Sequence, residues 1–151
     1  PIHCINFVHD SVQKYCFSQE EEANAVSTYA NEPGSYLYEP NASILKAGAF
    51  KSIASAFALK KLHPNSHLYT SDILHKDFPG RCFKVDGYFS LKDKALKAGI
   101  TKANIATRNF PLSPMEIRKR LKLGDGGDCY LFGTTLADGK KVIIRGEKAK
   151  V

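Results

Sequence analysis

The sequence predicts an α/β domain of the α+β kind, whose mixed sheet carries helices mainly on one face and which follows an N-terminal β-hairpin. Two observations predict it. From residue 81 onward, strand and helix signals follow the order β-α-β-α-β-β, which is typical of a mixed sheet. The turn signal Ala137-Asp138-Gly139 joins the last two strands as a hairpin. A chain of 151 residues with 43% hydrophobic content suits one folded domain with an appendage.

The N-terminal segment differs from the rest in charge and pattern. Residues 2–8 and 14–18 are predicted strands of a hairpin, and residues 19–33 are a predicted acidic linker. A lone hairpin is marginal in water, so it must pack on the body, on a second copy or on another domain. We therefore expect two units: residues 1–33, a remnant of a preceding domain, and residues 34–151, the α/β domain.

One long helix is predicted after Pro40, with Asn41 or Ser43 as its cap and its end between Leu59 and Leu62. Apolar residues recur on one face of this helix. This face comprises Leu45, Ala49, Phe50, Ile53, Ala56 and Phe57. A short helix is predicted over residues 91–98.

The stretch from residue 105 to residue 136 has the clearest local signals. Residues 102–108 are a predicted strand, and Ser113 and Glu116 have the spacing of a capping box. Pro114 occupies the first position of a helix that should extend to Leu123. Strands are predicted over residues 129–136 and 140–145.

The glycine-rich segment Gly124–Asp128 does not fit a phosphate-binding loop. Such loops follow a strand and open a helix, whereas here the glycines follow a helix and precede a strand. Gly124 is better interpreted as a helix C-cap and the remainder as a turn. The same order excludes a complete S-adenosylmethionine site, so we expect no cofactor-binding residue in this chain.

Catalytic and metal-ligand patterns are also missing. His63 and His67 flank a Pro-Asn pair without a third ligand nearby, so structural or solvent-exposed histidines are expected. The four cysteines lack zinc spacing, which favours free thiols in a cytosolic protein. We therefore predict no catalytic residue and no metal site.

Charge gives the strongest functional signal. Residues 1–40 hold one basic and six acidic residues, whereas residues 41–151 hold 21 basic and nine acidic ones. A basic body suggests a polyanionic partner, although a merely solvated charged surface is the competing interpretation. The predicted RNA-binding residues are Lys102, Asn104, Arg108, Asn109, Arg118, Lys119, Arg120, Lys122, Lys140 and Arg145, and Lys141 lies beside them.

Three strings carry a resemblance to a known family. They are YLYEPNASILKAGAFKSIASAFALKKLHPNSHLYTSD, FPGR and KANIATRNFPLSPMEIRKRLKLGDGGDCYLFGTTLADGKKVIIR. From about Tyr36 to Arg145 the chain resembles the C-terminal THUMP-like domain of bacterial class I S-adenosylmethionine-dependent methyltransferases. PIHCINF resembles the end of the small ferredoxin-like region that precedes that domain. The resemblance implies a parent protein with an upstream methyltransferase domain that uses S-adenosylmethionine. It carries over no catalytic residue, because the catalytic motif has no counterpart here.

Together these observations lead to one expectation and one alternative. We expect an RNA-binding accessory domain that positions RNA, such as tRNA or rRNA, for a methyltransferase domain of the same protein. The alternative is a protein-interaction or scaffolding module that packs against that domain without touching RNA. A cytoplasmic protein without a membrane partner is expected, because no apolar run approaches about 20 residues. The identity of the RNA and the oligomeric state stay open.

Overall fold

The computed structural model describes residues 1–149. An antiparallel hairpin comes first, formed by β1 (Ile2–Val8) and β2 (Ser11–Phe17). The remaining strands are β3 (Tyr36–Pro40), β4 (Lys60–Lys61), β5 (Tyr69–Ser71), β6 (Gly80–Phe89), β7 (Lys102–Arg108), β8 (Gly124–Thr135) and β9 (Lys141–Lys148). The helices are α1 (Gln19–Asn24), α2 (Ala42–Ala47), α3 (Ser52–Ala56), α4 (Pro114–Leu121) and a 3-10 helix at Lys94–Lys97.

Seven strands form one mixed sheet in the order β4-β5-β3-β6-β9-β8-β7. The β7–β8 pair is parallel, and the other pairs are antiparallel. A helix crossover joins the parallel strands, because α4 lies between β7 and β8 in the chain. The predicted order β-α-β-α-β-β is confirmed, with a 3-10 helix in the first helical position.

The helices pack on one face of this sheet, as predicted. On β8, Leu131 packs with Ile117 of α4, and on β3, Tyr38 packs with Ile44 of α2. Alternate residues such as Phe132 point to the opposite face, where they form a separate apolar cluster. Within residues 1–149, no helix covers that face, which we call the helix-free face. It is partly covered by the segment that carries Leu62 and Leu68.

The N-terminal hairpin packs on the body of the domain. Its inward side chains Cys4 and Phe17 are 3% and 2% exposed and belong to the cluster of Ile44 and Ile53. The sequence left three packing partners open for the hairpin. The structure shows that it packs on the body of the domain.

The predicted acidic linker over residues 19–33 is not a plain linker, because it contains helix α1. Ser18 caps this helix by accepting a hydrogen bond from the Glu21 amide at 3.0 Å. The Glu22 carboxylate then accepts from the backbone amides of Lys51 and Ser52, each at 2.9 Å. The acidic residues of this segment thus contact the start of α3 rather than only solvent.

The prediction of one long helix after Pro40 is wrong. Helix α2 ends at Ala47, its C-cap Gly48 has a left-handed φ of 77°, and α3 begins only at Ser52. Glycine adopts this conformation without a steric penalty, and the Gly48 amide bonds back to the carbonyl of Ile44. The break changes which side chains face the core, so Ile44 is buried whereas Ala56 of the predicted stripe is exposed.

The prediction for Gly124 is also wrong. The left-handed C-cap of α4 is Lys122, with a φ of 55°, and Gly124 already belongs to β8. Gly124 and Asp125 pair with the start of β7, after which the register jumps to Tyr130. The segment between them, including the positive-φ residues Gly126 and Gly127, forms an irregularity inside β8.

Substitution of two phenylalanines on the hairpin tests whether the hairpin packs on the body of the domain. Phe17→Ala should lower the free energy of unfolding by roughly 3–5 kcal/mol, because it empties a buried site. Phe7→Ala is the matched control: Phe7 is 79% exposed on the outer side of the same hairpin, so its effect should stay within about 0.5 kcal/mol. Urea denaturation measures both, and equal midpoints for the two variants would show that the hairpin does not pack on the body.

Candidate nucleic-acid interface

Helix α4 is fixed at its start by the predicted capping box. The Ser113 hydroxyl accepts from the Glu116 amide at 3.2 Å, and the Ser113 amide donates to the Glu116 carboxylate at 3.1 Å. The hydrogen bond from the Ser113 backbone lowers the pKa of Glu116. Ile117 and Leu121 are buried, as the sequence predicted, so the opposite side of α4 faces solvent.

Arg118 is directed at the scaffold rather than at solvent. Its guanidinium donates to the carbonyl of Ala103 at 3.1 Å and to the carbonyl of Gly124, and it pairs with Asp125 at 3.2 Å. These acceptors lie at the start of β7 and β8, so Arg118 ties α4 to both strands. The sequence placed Arg118 among the RNA-binding residues, whereas its contacts are those of a structural residue.

Two more of the predicted RNA-binding residues, Arg145 and Asn104, make hydrogen bonds within the chain. The Arg145 guanidinium donates to the carbonyls of Leu96 and Ala98 at 3.1 and 2.8 Å, which attaches the 3-10 helix to β9. The Asn104 amide donates to the carbonyl of Gly127 at 2.8 Å, which holds the irregular segment of β8.

Arg108 and Asn109 lie at the end of β7. Arg108 donates to the carboxylate of Glu39 at 3.0 Å. Asn109 adopts a left-handed φ of 64°, and its carbonyl accepts a hydrogen bond from the Thr135 hydroxyl at 2.5 Å. Asn109 thus helps to join β7 to the end of β8.

The remaining predicted cations are exposed. Lys119 and Arg120 lie on the solvent side of α4, and Lys122 is its C-cap. Lys102 begins β7, and Lys140 lies in the turn before β9. The structure therefore divides the predicted set into internal donors and exposed cations. RNA binding by the exposed cations stays a prediction.

The sequence did not identify a second group of cations, on the helix-free face. Arg81 donates to Glu39 through Nε at 2.8 Å, and its guanidinium lies 5.2 Å from the ring centre of Phe83 and 5.7 Å from that of Tyr130. The Lys148 ammonium lies 5.8 Å from the Tyr130 ring centre. The alternation of side chains along β6 and β9 could have predicted that these cations share one face. Only the fold shows that this is the helix-free face.

Glu39 holds two arginines on this face. Its side chain is only 7% exposed and pairs with Arg81 at 2.7 Å and Arg108 at 3.0 Å. Glu39 is on β3 and Arg108 on β7, with three strands between them. On a flat sheet these strands would be ~19 Å apart, farther than the two side chains reach. The sheet therefore curls toward its helix-free face.

A cleft of about 370 Å³ opens beside this ion pair. Arg81, Arg108 and Lys148 line this cleft together with residues of the hairpin, such as Gln13, and of α2, such as Leu45. A buried carboxylate, two guanidiniums and an ammonium leave this region with an excess of positive charge. Such a cleft can bind an anion by charge and by hydrogen bonding.

Other candidate chemistry is weak. Within residues 1–149, no three His, Cys, Asp or Glu side chains come together in a way that could hold a metal ion. The His67 ring stacks on Phe50 with ring centres 3.8 Å apart, and burial lowers its pKa. Burial raises the pKa of the Cys82 thiol to about 11, and all four cysteines are free. Among the helices that the structure describes, none is long and apolar enough to span a membrane.

Comparisons with known proteins divide the sheet domain into two regions. Residues 36–79 match the model of a ferredoxin-like domain, and residues 80–148 match that of a THUMP domain-like family. The ferredoxin-like match lies on β3 to β5 with α2 and α3, whereas the sequence resemblance placed the end of that region at residues 1–7. No curated protein matches the chain.

A solved structure matches nearly the whole chain. It is the crystal structure of a "putative methyltransferase" from Porphyromonas gingivalis W83, with 47% sequence identity and a TM-score of 0.93. The match covers 99% of this chain but only 38% of that protein. Residues 36–148 are thus similar to a ferredoxin-like region followed by a THUMP-like region.

Proposed function

We propose that this chain is an RNA-binding accessory unit that positions substrate RNA for a methyltransferase domain of the same, longer protein. Two findings support the proposal. The C-terminal half matches a THUMP-like family, and THUMP domains generally bind RNA. The solved structure named a "putative methyltransferase" is 47% identical in sequence to this chain where the two match, and that protein is much longer, because the chain covers 38% of it.

The observation that carries the proposal is the row of exposed cations at the end of α4. Lys119, Arg120 and Lys122 project from a helix that the capping box, Ile117 and the Arg118 contacts hold rigidly. A rigid support limits the conformational freedom that phosphate binding must remove. This arrangement suits backbone contacts, which position RNA without reading its sequence.

A second function is favoured by the outer side of the N-terminal hairpin. Ile5, Phe7 and Val12 are 50%, 79% and 45% exposed there, although they are apolar. Exposed apolar groups of this kind suit a protein interface. The chain would then be a scaffolding module that packs against the methyltransferase domain and does not contact RNA.

Under either proposal the chain itself is not the enzyme. The proposed parent is a bacterial, cytoplasmic methyltransferase, whose upstream domain supplies both the catalytic residues and the S-adenosylmethionine site. The four free cysteines accord with a reducing compartment. The accessory unit contributes affinity for RNA and the orientation of the bound RNA.

Removing two exposed cations of α4 tests the RNA proposal. Lys119→Ala with Lys122→Ala should weaken binding of tRNA and of unrelated RNA alike. Each lost phosphate contact lowers the slope of log affinity against log salt by about 0.7–0.9, so the slope should fall by about one to two units. Filter binding over a range of salt concentrations measures both quantities.

A control with the same change in net charge is Lys46→Ala with Lys76→Ala. Both lysines are exposed but lie outside α4 and the neighbouring strands. This variant should keep most of the affinity and slope of the original chain. Equal binding by the α4 variant and the original chain would remove α4 from the interface, and absence of RNA binding by the original chain would favour the scaffolding function.

Arg118 is expected to affect stability instead. Arg118→Ala should lower the free energy of unfolding by about 1–3 kcal/mol, because two carbonyls and a carboxylate lose a charged donor. Lys119→Ala, one residue along the same helix, should change it by less than about 0.5 kcal/mol. Chemical denaturation of both variants checks this assignment, which fails if Arg118→Ala is as stable as Lys119→Ala.

The absence of a cofactor site can be tested directly. Isothermal titration of the 151-residue chain with S-adenosylmethionine should give no stoichiometric binding, because the glycines of β8 follow a helix instead of opening one. A protein that includes the upstream domain is the positive control. Tight binding by the short chain would contradict the proposed division of labour.

A further inference from the structure

The cleft beside Glu39 has more positive charge than its internal ion pairs use. One carboxylate faces two guanidiniums, so one positive charge remains, and Lys148 adds another at the same cleft. The side chains of Arg81 and Arg108 are still 44% and 37% exposed. Each guanidinium has five N–H groups, so both arginines keep donors for a further anion.

Glu39 also fixes the position of these donors. Its carboxylate binds Arg81 through one oxygen and Arg108 through the other, and it is almost fully buried. The two guanidiniums are therefore held beside each other before any ligand arrives. Such preorganisation favours a doubly contacted anion such as a phosphate.

Arg81 offers a second type of contact. Its guanidinium lies over the rings of Phe83 and Tyr130, and its side chain remains exposed. A guanidinium plane is a surface on which an unpaired nucleobase stacks. Lys148 lies over the same tyrosine and lines the same cleft. Charge and a stacking surface thus occur side by side.

The size of the cleft limits what it can hold. A volume of about 370 Å³ is near the lower end of small-molecule sites, so it suits one nucleotide. Unpaired bases can leave the stack and enter such a site, whereas bases within a duplex cannot. The cleft is also separate from the cations of α4, because none of its lining residues belongs to α4 or to its cap at Lys122.

We propose that this cleft binds a single unpaired nucleotide of RNA. The phosphate contacts Arg108 and Lys148, and the base stacks on Arg81. This inference rests on the proposed RNA-binding function and names a site within it. Cations on α4 would then supply contacts that do not depend on sequence, while the cleft selects single-stranded over double-stranded RNA.

Two variants separate stacking from charge. Arg81→Lys keeps the charge but removes the planar group, so affinity for a fluorescein-labelled ten-nucleotide single-stranded RNA should fall at least about fivefold, with little change in salt slope. Lys148→Ala removes one exposed charge, and its salt slope should fall by about 0.7. Affinity for an RNA duplex of the same length should not change in Arg81→Lys. Fluorescence anisotropy of the full 151-residue chain measures these quantities.

Lys84→Ala is the matched control. Lys84 is exposed on β6, as Arg81 is. Its side chain lies on the helix-bearing side of the sheet, and Glu147 is its neighbour on β9 in the strand register. Its affinity and salt slope should equal those of the original chain. Thermal melting of each variant checks folding, and Lys148→Ala keeps the test valid if Arg81→Lys is unstable.

Each outcome supports or overturns the proposal that the cleft binds an unpaired nucleotide. If the original chain binds single-stranded RNA and both Arg81→Lys and Lys148→Ala bind it equally well, the cleft is excluded while the RNA-binding function survives through α4. If the original chain binds neither single-stranded nor duplex RNA, both proposals fail. Direct binding of a fluorescein-labelled polyglutamate peptide that depends on Arg81, in a chain that does not bind RNA, would assign the cleft to an acidic protein partner and overturn the proposal of a bound nucleotide.

Discussion

The buried carboxylate of Glu39 is the contact on which the shape of the helix-free face depends. It joins β3 to β6 through Arg81 and to β7 through Arg108. Because β3 and β7 are far apart in the sheet order, the second ion pair exists only while the sheet is curled. Removing Glu39 would leave two guanidiniums close together without their shared anion, which costs more than the loss of an exposed ion pair. The same contact shapes both the sheet and the cleft.

Some cations of this domain bind the protein itself, and others stay exposed. Arg118 and Arg145 each donate to two backbone carbonyls, which their planar, multidentate group can reach at once. Lysines such as Lys119, Lys122 and Lys148 stay exposed. Arg118 and Arg145 thus hold helices to strands, while these exposed lysines, together with Arg120, provide charge that a polyanion can meet. Arg81 combines both uses, because it binds Glu39 and still exposes part of its side chain.

Local signals in the sequence were sufficient where neighbouring residues decide the structure. The α4 capping box depends on Ser113 and Glu116, three residues apart, and it was predicted correctly. The single long helix was predicted wrongly, because its apolar periodicity continues across Gly48, whose left-handed conformation ends α2. Contacts between distant residues carry no local signal. Arg108 and Glu39 lie 69 positions apart, so periodicity could suggest exposed cations but not which of them are already paired.

Crosslinking gives the most direct test of the claim that this chain contacts RNA. Single-stranded RNA that contains 4-thiouridine can be irradiated with the chain, and the modified peptides can be identified by mass spectrometry. The two proposed surfaces predict crosslinks near Tyr130 on the helix-free face and within residues 119–122 at the end of α4. No crosslink at saturating RNA would contradict RNA binding. Crosslinks confined to hairpin residues that do not line the cleft, such as Ile5, Phe7 and Val12, would contradict both proposed surfaces.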